Sequence, residues 1–353
     1  MNRLALLLSA LLLSALLLSA CNTSPDSGNV AAPNDSNDSP ASDDAKPDDA
    51  KPDDTPDNTS PDETPDNTGV SYRGNYYDNL TSSTHAATLK AALHTLIDGH
   101  RALTYTQSGN NWRDCWDGSV NDSSYWQRCT IDVWESLNYT DASCEAKDVY
   151  CDSVVLLYSG DVRPTSMANR GSGGNDSWDR EHVWPKSRGF PNKSQDGYTD
   201  LHHLRPADRN INSTHSNYGF NDSANNGGSP YSETTLSGEG VTVYVDSTNN
   251  SFEPTERAKG QVARMLFYMA VRYEEGDDGG SERMPDLQLI KGNRRVSEPV
   301  IGDLCALLDW HKAYPVTAFE MRRNNRIEQI QNNRNPFIDH PEYADAIWGD
   351  ECR

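Results

Sequence analysis

Asp179-Arg180-Glu181-His182-Val183-Trp184-Pro185 opens the stretch on which the fold turns. Thr199-Asp200-Leu201-His202-His203-Leu204-Arg205-Pro206, then Asn210-Ile211-Asn212, completes it. Four of the chain's nine histidines fall between Ser177 and Phe220, among carboxylates, arginines and asparagines. A core segment does not normally carry so many hydrogen-bonding groups, because each must find a partner or suffer a desolvation penalty. Imidazoles and carboxylates beside phosphate-binding arginines read instead as a reaction site.

Glu181 and His182 are adjacent, so a regular strand would point them to opposite faces. At a strand end running into the Pro185 turn that alternation relaxes, and both can flank one phosphate. A neutral imidazole takes a proton from water near pH 7, and a carboxylate holds a hard divalent cation. Pro206 suits the first turn of a helix, which places Asn212 about one and two-thirds turns along it. Asparagine is a poor residue for a helix interior, so a functional role for its carbonyl explains its presence. A hairpin bearing Glu-His and a helix bearing Asn would bring three groups around one ion.

Arg180-Glu181-His182-Val183-Trp184-Pro185-Lys186-Ser187, the Thr199–Pro206 segment and Asn210-Ile211-Asn212 resemble the bacterial endonuclease I family. The likeness continues through Arg264–Tyr273 and Asn333–Pro341, spanning roughly 75–350. It implies an α+β, helix-rich domain around a ββα-metal (His-Me finger) core. It also implies one Mg²⁺, with Mn²⁺ or Ca²⁺ as substitutes, and endonucleolytic cleavage of DNA and RNA with little sequence preference, leaving 5′-phosphates. Carried over by motif, the family's general base falls on His182, its metal-binding carboxylate on Glu181 and its helix asparagine on Asn212. Arg205 is the choice for the transition-state arginine and Arg188 the reserve. Arg180, Lys186, Arg188, His203, Arg209 and Arg334 are the expected substrate-binding residues.

Outward from this centre the chain divides into three. Residues 1–20 combine Arg3, repeated Leu-Leu-Leu-Ser-Ala and a small-residue cut site, which reads as a secretory signal peptide. Cys21 directly after Leu-Ser-Ala resembles a bacterial lipobox, implying lipidation and an exported, membrane-tethered protein, outer-membrane or extracellular. Plain secretion after Ala20 is the alternative, but it leaves Cys21 with no role. Residues 21–70 hold Asp, Pro, Ser, Asn and Thr with almost nothing to bury, so they read as a disordered acidic tether. Residues 71–353 read as one catalytic domain, a monomer whose contact with the membrane is through the lipid alone.

Six cysteines remain in that domain: Cys115, Cys129, Cys144, Cys151, Cys305 and Cys352. In an exported protein an even number implies disulfides, although sequence leaves fifteen pairings open. Short loops favour Cys115–Cys129 and Cys144–Cys151, leaving Cys305–Cys352 to pin the C-terminus. Apolar periodicity predicts helices near 85–104, 255–275, 300–312 and 315–332. It also predicts a buried strand at 154–158 and a half-buried one carrying Val241, Val243 and Val245. Met265, Phe267, Tyr268 and Met269 are expected in the core, and 105–150 reads as a disulfide-stapled irregular insertion.

Charge opposes the nucleic-acid reading. The formal net charge is −22, and residues 22–68 account for −11 of it with thirteen acidic residues against two lysines. Residues 69–353 still hold 40 acidic against 28 basic side chains. Phosphate binding rests on Lys and Arg, so a polyanion needs a local basic cleft. Arg180, Lys186, Arg188, Lys193, Arg205 and Arg209 converge on the central stretch, and Arg322, Arg326 or Arg334 would extend it. Two other readings compete. One is a zinc hydrolase built on His182, His202, His203 and His215, which has no His-Glu-x-x-His helix to support it. The other is a non-enzymatic surface adhesin, suggested by the tether, the disulfides and the acidity.

Overall fold

The computed structural model describes residues 72, 74–80, 85–107, 131–144, 151–276, 282–294 and 297–353. The leader, Cys21, the tether and the expected Cys115–Cys129 pair lie outside the described residues. Within them the chain is mixed helix and strand. Helix α1 (Ala86–Ile97) and α2 (Val133–Thr140) precede the short antiparallel pair β1 (Ser153–Val155) and β2 (Val162–Pro164). Next come β3 (Trp178–His182), β4 (Leu204–Asp208) and α3 (Arg209–His215). Strands β5 (Gly219–Phe220), β6 (Ser229–Thr234), β7 (Gly240–Asp246) and β8 (Ser251–Glu253) form one sheet in the order β5-β8-β7-β6. The remainder is α4 (Glu256–Arg272), β9 (Gln288–Leu289), β10 (Val300–Ile301), α5 (Leu304–Ala313), α6 (Ala318–Gln331), α7 (Pro336–Asp339) and α8 (Glu342–Trp348).

Two hydrophobic cores grip the central hairpin. One surrounds α4, whose Met265, Leu266, Phe267, Tyr268 and Met269 are all buried, as the apolar run predicted. All but three of its seventeen residues are buried, Lys259, Arg264 and Arg272 included, which makes it a core helix. The second gathers Val133, Trp134 and Leu137 of α2 with Leu156, Ile327 and Ile330. Trp178, Leu201 and Leu204 enter the second core, while Val183, Trp184, Ala207 and Ile211 enter the first. Fully burying a Leu or Ile side chain stabilises by about 1.5–3 kcal/mol, so both ends of the hairpin are anchored. Its register pairs Arg180 with Pro206, Glu181 with Arg205 and His182 with Leu204.

Several expectations shift. The early helix stops at Ile97, and the 154–158 strand is only Ser153–Val155, with Leu156 turning away. Residues 105–150 are not wholly irregular, for they contain α2. Its signal was legible: Asp132 caps the helix, its side chain accepting from Glu135 N. Pro206 is not in a helix but inside β4, where its carbonyl accepts from Leu157 N. The helix starts three residues later because Asp208 supplies the cap, accepting from Asn210 N and Ile211 N. Cys144–Cys151 is a disulfide, as its short loop favoured, and so is Cys305–Cys352, the pair left over for the C-terminus.

Candidate active site

Glu181 stands one residue from the end of β3, 3% exposed. Its Oε1 accepts from the Tyr158 hydroxyl at 2.7 Å and from His215 Nδ1 at 2.6 Å. His215 belongs to α3, its ring stacked on Phe220 and its Nε2 3.2 Å from the Tyr218 carbonyl. Burial, with Glu181 beside it, raises the Tyr158 hydroxyl well above its ordinary pKa, so it remains a donor. One carboxylate oxygen is thus fixed by two donors, while Oε2 makes no hydrogen bond to the described residues. Asn212 lies three residues before His215, on the same face of α3. That spacing brings it one turn along from the histidine that holds Glu181. Its half-buried side-chain amide makes no hydrogen bond to the described residues.

His182 ends β3 and is 7% exposed. Its Nε2 lies 3.0 Å from the Tyr198 carbonyl, which can only accept, so this nitrogen carries the hydrogen. Nδ1 therefore presents a bare lone pair. Burial is the main cause that holds the imidazole well below its ordinary pKa, and neighbouring His203 adds to it. At neutral pH the ring is an unprotonated base of fixed tautomer. Tyr198 and Tyr105 pack around it, with ring centroids 4.9 Å and 5.9 Å away.

The arginines depart furthest from expectation. Arg205 is 1% exposed; its Nε donates to Asp141 and its Nη1 to Gln261. Only Nη2 is left without a partner among the described residues, although the charge is close enough to act on the Tyr158 hydroxyl. Arg188 is buried and donates to the carbonyls of Asn217, Val300 and Arg294, tying three segments together. Arg334 is buried in a two-pronged pair with Asp339 and a further contact to Glu328. Arg326 is buried against the Tyr139 carbonyl. Substrate contact by Arg188 or Arg334, and a cleft extended by Arg326 or Arg334, are therefore corrected: these side chains hold the fold together. Arg209 donates to the Gly173 carbonyl. Arg180 is sandwiched between the rings of Tyr105 and Trp134, 3.4 Å and 4.0 Å from their centroids.

His203 is also corrected from substrate binding. It is fully buried, and its Nε2 donates to Gly197 O, steadying the turn whose Tyr198 carbonyl orients His182. His202 faces Asn333 and the ring of Tyr268 instead. The imidazoles of the zinc alternative thus turn to four different partners rather than to one centre. Among the described residues no three His, Cys, Asp or Glu groups are placed to hold a metal ion. Sequence reasoning missed Tyr158 altogether and placed His215 only in the zinc alternative. The i, i+3 spacing of Asn212 and His215 was the available signal for the second.

Fold and site together define a disulfide-bonded, mixed helix-and-strand enzyme domain with a buried Glu–His centre on a hairpin backed by a helix. The sequence matches the endonuclease I family over residues 85–342. It is 41% identical over 274 residues to an extracellular ribonuclease of Bacillus amyloliquefaciens, covering 77% of this chain and 78% of the relative. An extracellular ribonuclease of Bacillus subtilis (strain 168) is 40% identical over 275 residues, with the same coverage of both chains. An extracellular deoxyribonuclease of Aeromonas hydrophila is 28% identical over 141 residues, 40% of this chain and 49% of that one. The chain belongs to the endonuclease I family and is an endonuclease.

Proposed function

We propose that this protein is an exported, metal-dependent endonuclease that hydrolyses both RNA and DNA with little sequence preference. The observation that carries the reading is the pairing of a base of fixed tautomer, His182, with a carboxylate, Glu181, that keeps one oxygen free. In this reading β3, β4 and α3 are the ββα-metal (His-Me finger) unit. Relatives named for ribonuclease and for deoxyribonuclease activity support the two substrates, and their extracellular names support export.

The donor set fits a hard cation: Glu181 Oε2 and the Asn212 amide oxygen are oxygen donors with no partner among the described residues. Mg²⁺ held by Glu181 and Asn212 would neutralise charge gained by the phosphate, and two protein ligands suffice because Mg²⁺ keeps several waters. His182 Nδ1 takes a proton as a water oxygen attacks phosphorus. The P–O3′ bond breaks, leaving a 5′-phosphate and a 3′-hydroxyl whose proton comes from solvent. The Tyr198 carbonyl supports the imidazolium through Nε2–H, and Arg205 adds fixed positive charge behind the hairpin. Cys21 would carry a lipid, with residues 22–70 as the tether.

Plasmid DNA and RNA incubated with protein starting after Cys21, in Mg²⁺ or in EDTA, test the reading. Cleavage of both in Mg²⁺ only is the expected outcome. Activity that survives EDTA, or returns with Zn²⁺ and not with Mg²⁺, would overturn it.

A further inference from the structure

The acidic surface poses a question that the catalytic residues do not answer: where does this chain grip a polyanion? The buried arginines are spent on carboxylates and carbonyls. Lys90, Lys259 and Lys312 sit on Glu274, Glu253 and Asp345. Lys186 and Lys193 differ. Both are exposed, and, like Lys291, neither makes an ion pair among the described residues. Lys186 Nζ donates to the Tyr198 hydroxyl at 3.2 Å and lies 5.2 Å from that ring's centroid. Lys193 Nζ lies 5.5 Å from the centroid of Tyr105.

The two rings meet edge to face with centroids 4.7 Å apart, and both pack against His182. Two unneutralised ammonium groups therefore hang over one small aromatic platform beside the catalytic imidazole. An aromatic face attracts a cation without cancelling its charge, so both lysines stay available to an anion. With no carboxylate drawn onto them in a domain so rich in acids, their chemistry matches a nucleic-acid backbone.

We propose that Lys186 and Lys193, seated on Tyr198 and Tyr105, form a subsite for the backbone phosphates flanking the one that His182 serves. This rests on the nuclease reading but is tested apart from it. Binding of a fluorescein-labelled single-stranded 12-mer is followed by anisotropy in EDTA over a series of NaCl concentrations, with no turnover. Each lost phosphate contact lowers the slope of log affinity against log salt by ~0.7 on a single strand. The Lys186→Gln/Lys193→Gln double variant should lose about 1.4 of slope and bind more weakly. Lys186→Arg/Lys193→Arg should keep both charge and slope, and Lys312→Gln should match wild type. A double glutamine variant with wild-type slope would overturn the subsite, as would wild-type protein that does not bind the strand. Failure of the wild type to cleave in Mg²⁺ would instead strike the hydrolytic reading and leave the binding result standing.

Discussion

Glu181 and His182 share a peptide bond, yet the molecule supports them in opposite ways. Glu181 is held by side chains from two distant segments, Tyr158 before the hairpin and His215 after it. His182 is held by one backbone carbonyl, that of Tyr198, at a turn which His203 steadies from beneath. A ligand carboxylate needs orientation with one oxygen left over, and two donors on the other oxygen achieve that. A base needs a fixed tautomer and a bare nitrogen, and one acceptor suffices. Side-chain supports can be removed singly by mutation, whereas a carbonyl cannot, so the two halves of the site should fail differently.

The largest effect is expected on the His182 side. His182→Ala should lower the rate by ~10²–10⁴-fold while leaving Mg²⁺ affinity and folding near wild type. Single-turnover cleavage with calorimetric Mg²⁺ titration checks both halves at once. Loss of metal affinity in that variant would show that the two sides are not separable.

On the Glu181 side, Asn212→Ala and Glu181→Ala should weaken Mg²⁺ binding directly, with partial rescue of rate at high Mg²⁺. His215→Ala should act through Glu181 and weaken Mg²⁺ binding by ~10–100-fold, the usual cost of losing a residue that orients a metal ligand. Unchanged calorimetric affinity in all three would remove the metal from this side.

Acid should weaken the fold through its buried imidazoles. Burial lowers the pKa of His202 to about 3 and that of His311 to about 4. In the unfolded chain these rings take up protons below about pH 6.5, while in the folded chain they do not. Stability is therefore full above that value and falls as the pH drops towards the folded-state values. Each ring costs about 2 kcal/mol by pH 5, by linkage. Urea unfolding at pH 7 and pH 5 measures the loss, and His202→Gln should shrink the difference. A flat profile would mean that these rings take up protons as readily in the folded protein as in the unfolded chain.

How much of this was legible follows the same division. Glu181, His182 and Asn212 stood out because their residue types and spacing are local, and the core of α4 because its apolar run is. Tyr158 and the clamp on Glu181 were not legible, because those contacts join residues 23 and 34 positions apart. The Tyr198 carbonyl was invisible because a backbone acceptor leaves no mark in side-chain identity. The arginines misled for a physical reason: a guanidinium free for phosphate and one spent on Asp141 or Asp339 are the same letter. Burial and a carboxylate partner set Arg205 and Arg334 apart from exposed Lys186 and Lys193. Pro206 misled because the cap that starts α3 lies two residues beyond it, at Asp208.

The smallest effect is the one that most finely separates the two supports of Glu181. Tyr158→Phe removes one hydroxyl and leaves a ring of nearly the same volume against Phe252, at 5.2 Å between centroids. Packing should survive, and His215 still holds Oε1. What disappears is one of the two hydrogen bonds to a buried carboxylate oxygen. Mg²⁺ affinity should therefore fall by less than in His215→Ala, and cleavage at saturating Mg²⁺ should stay near wild type. The pH dependence of cleavage should not move, because the tyrosine touches neither His182 nor the turn that orients it. A loss as large as that of His182→Ala would mean that Tyr158 serves the reacting phosphate itself. No change in affinity would leave His215 as the sole support that matters.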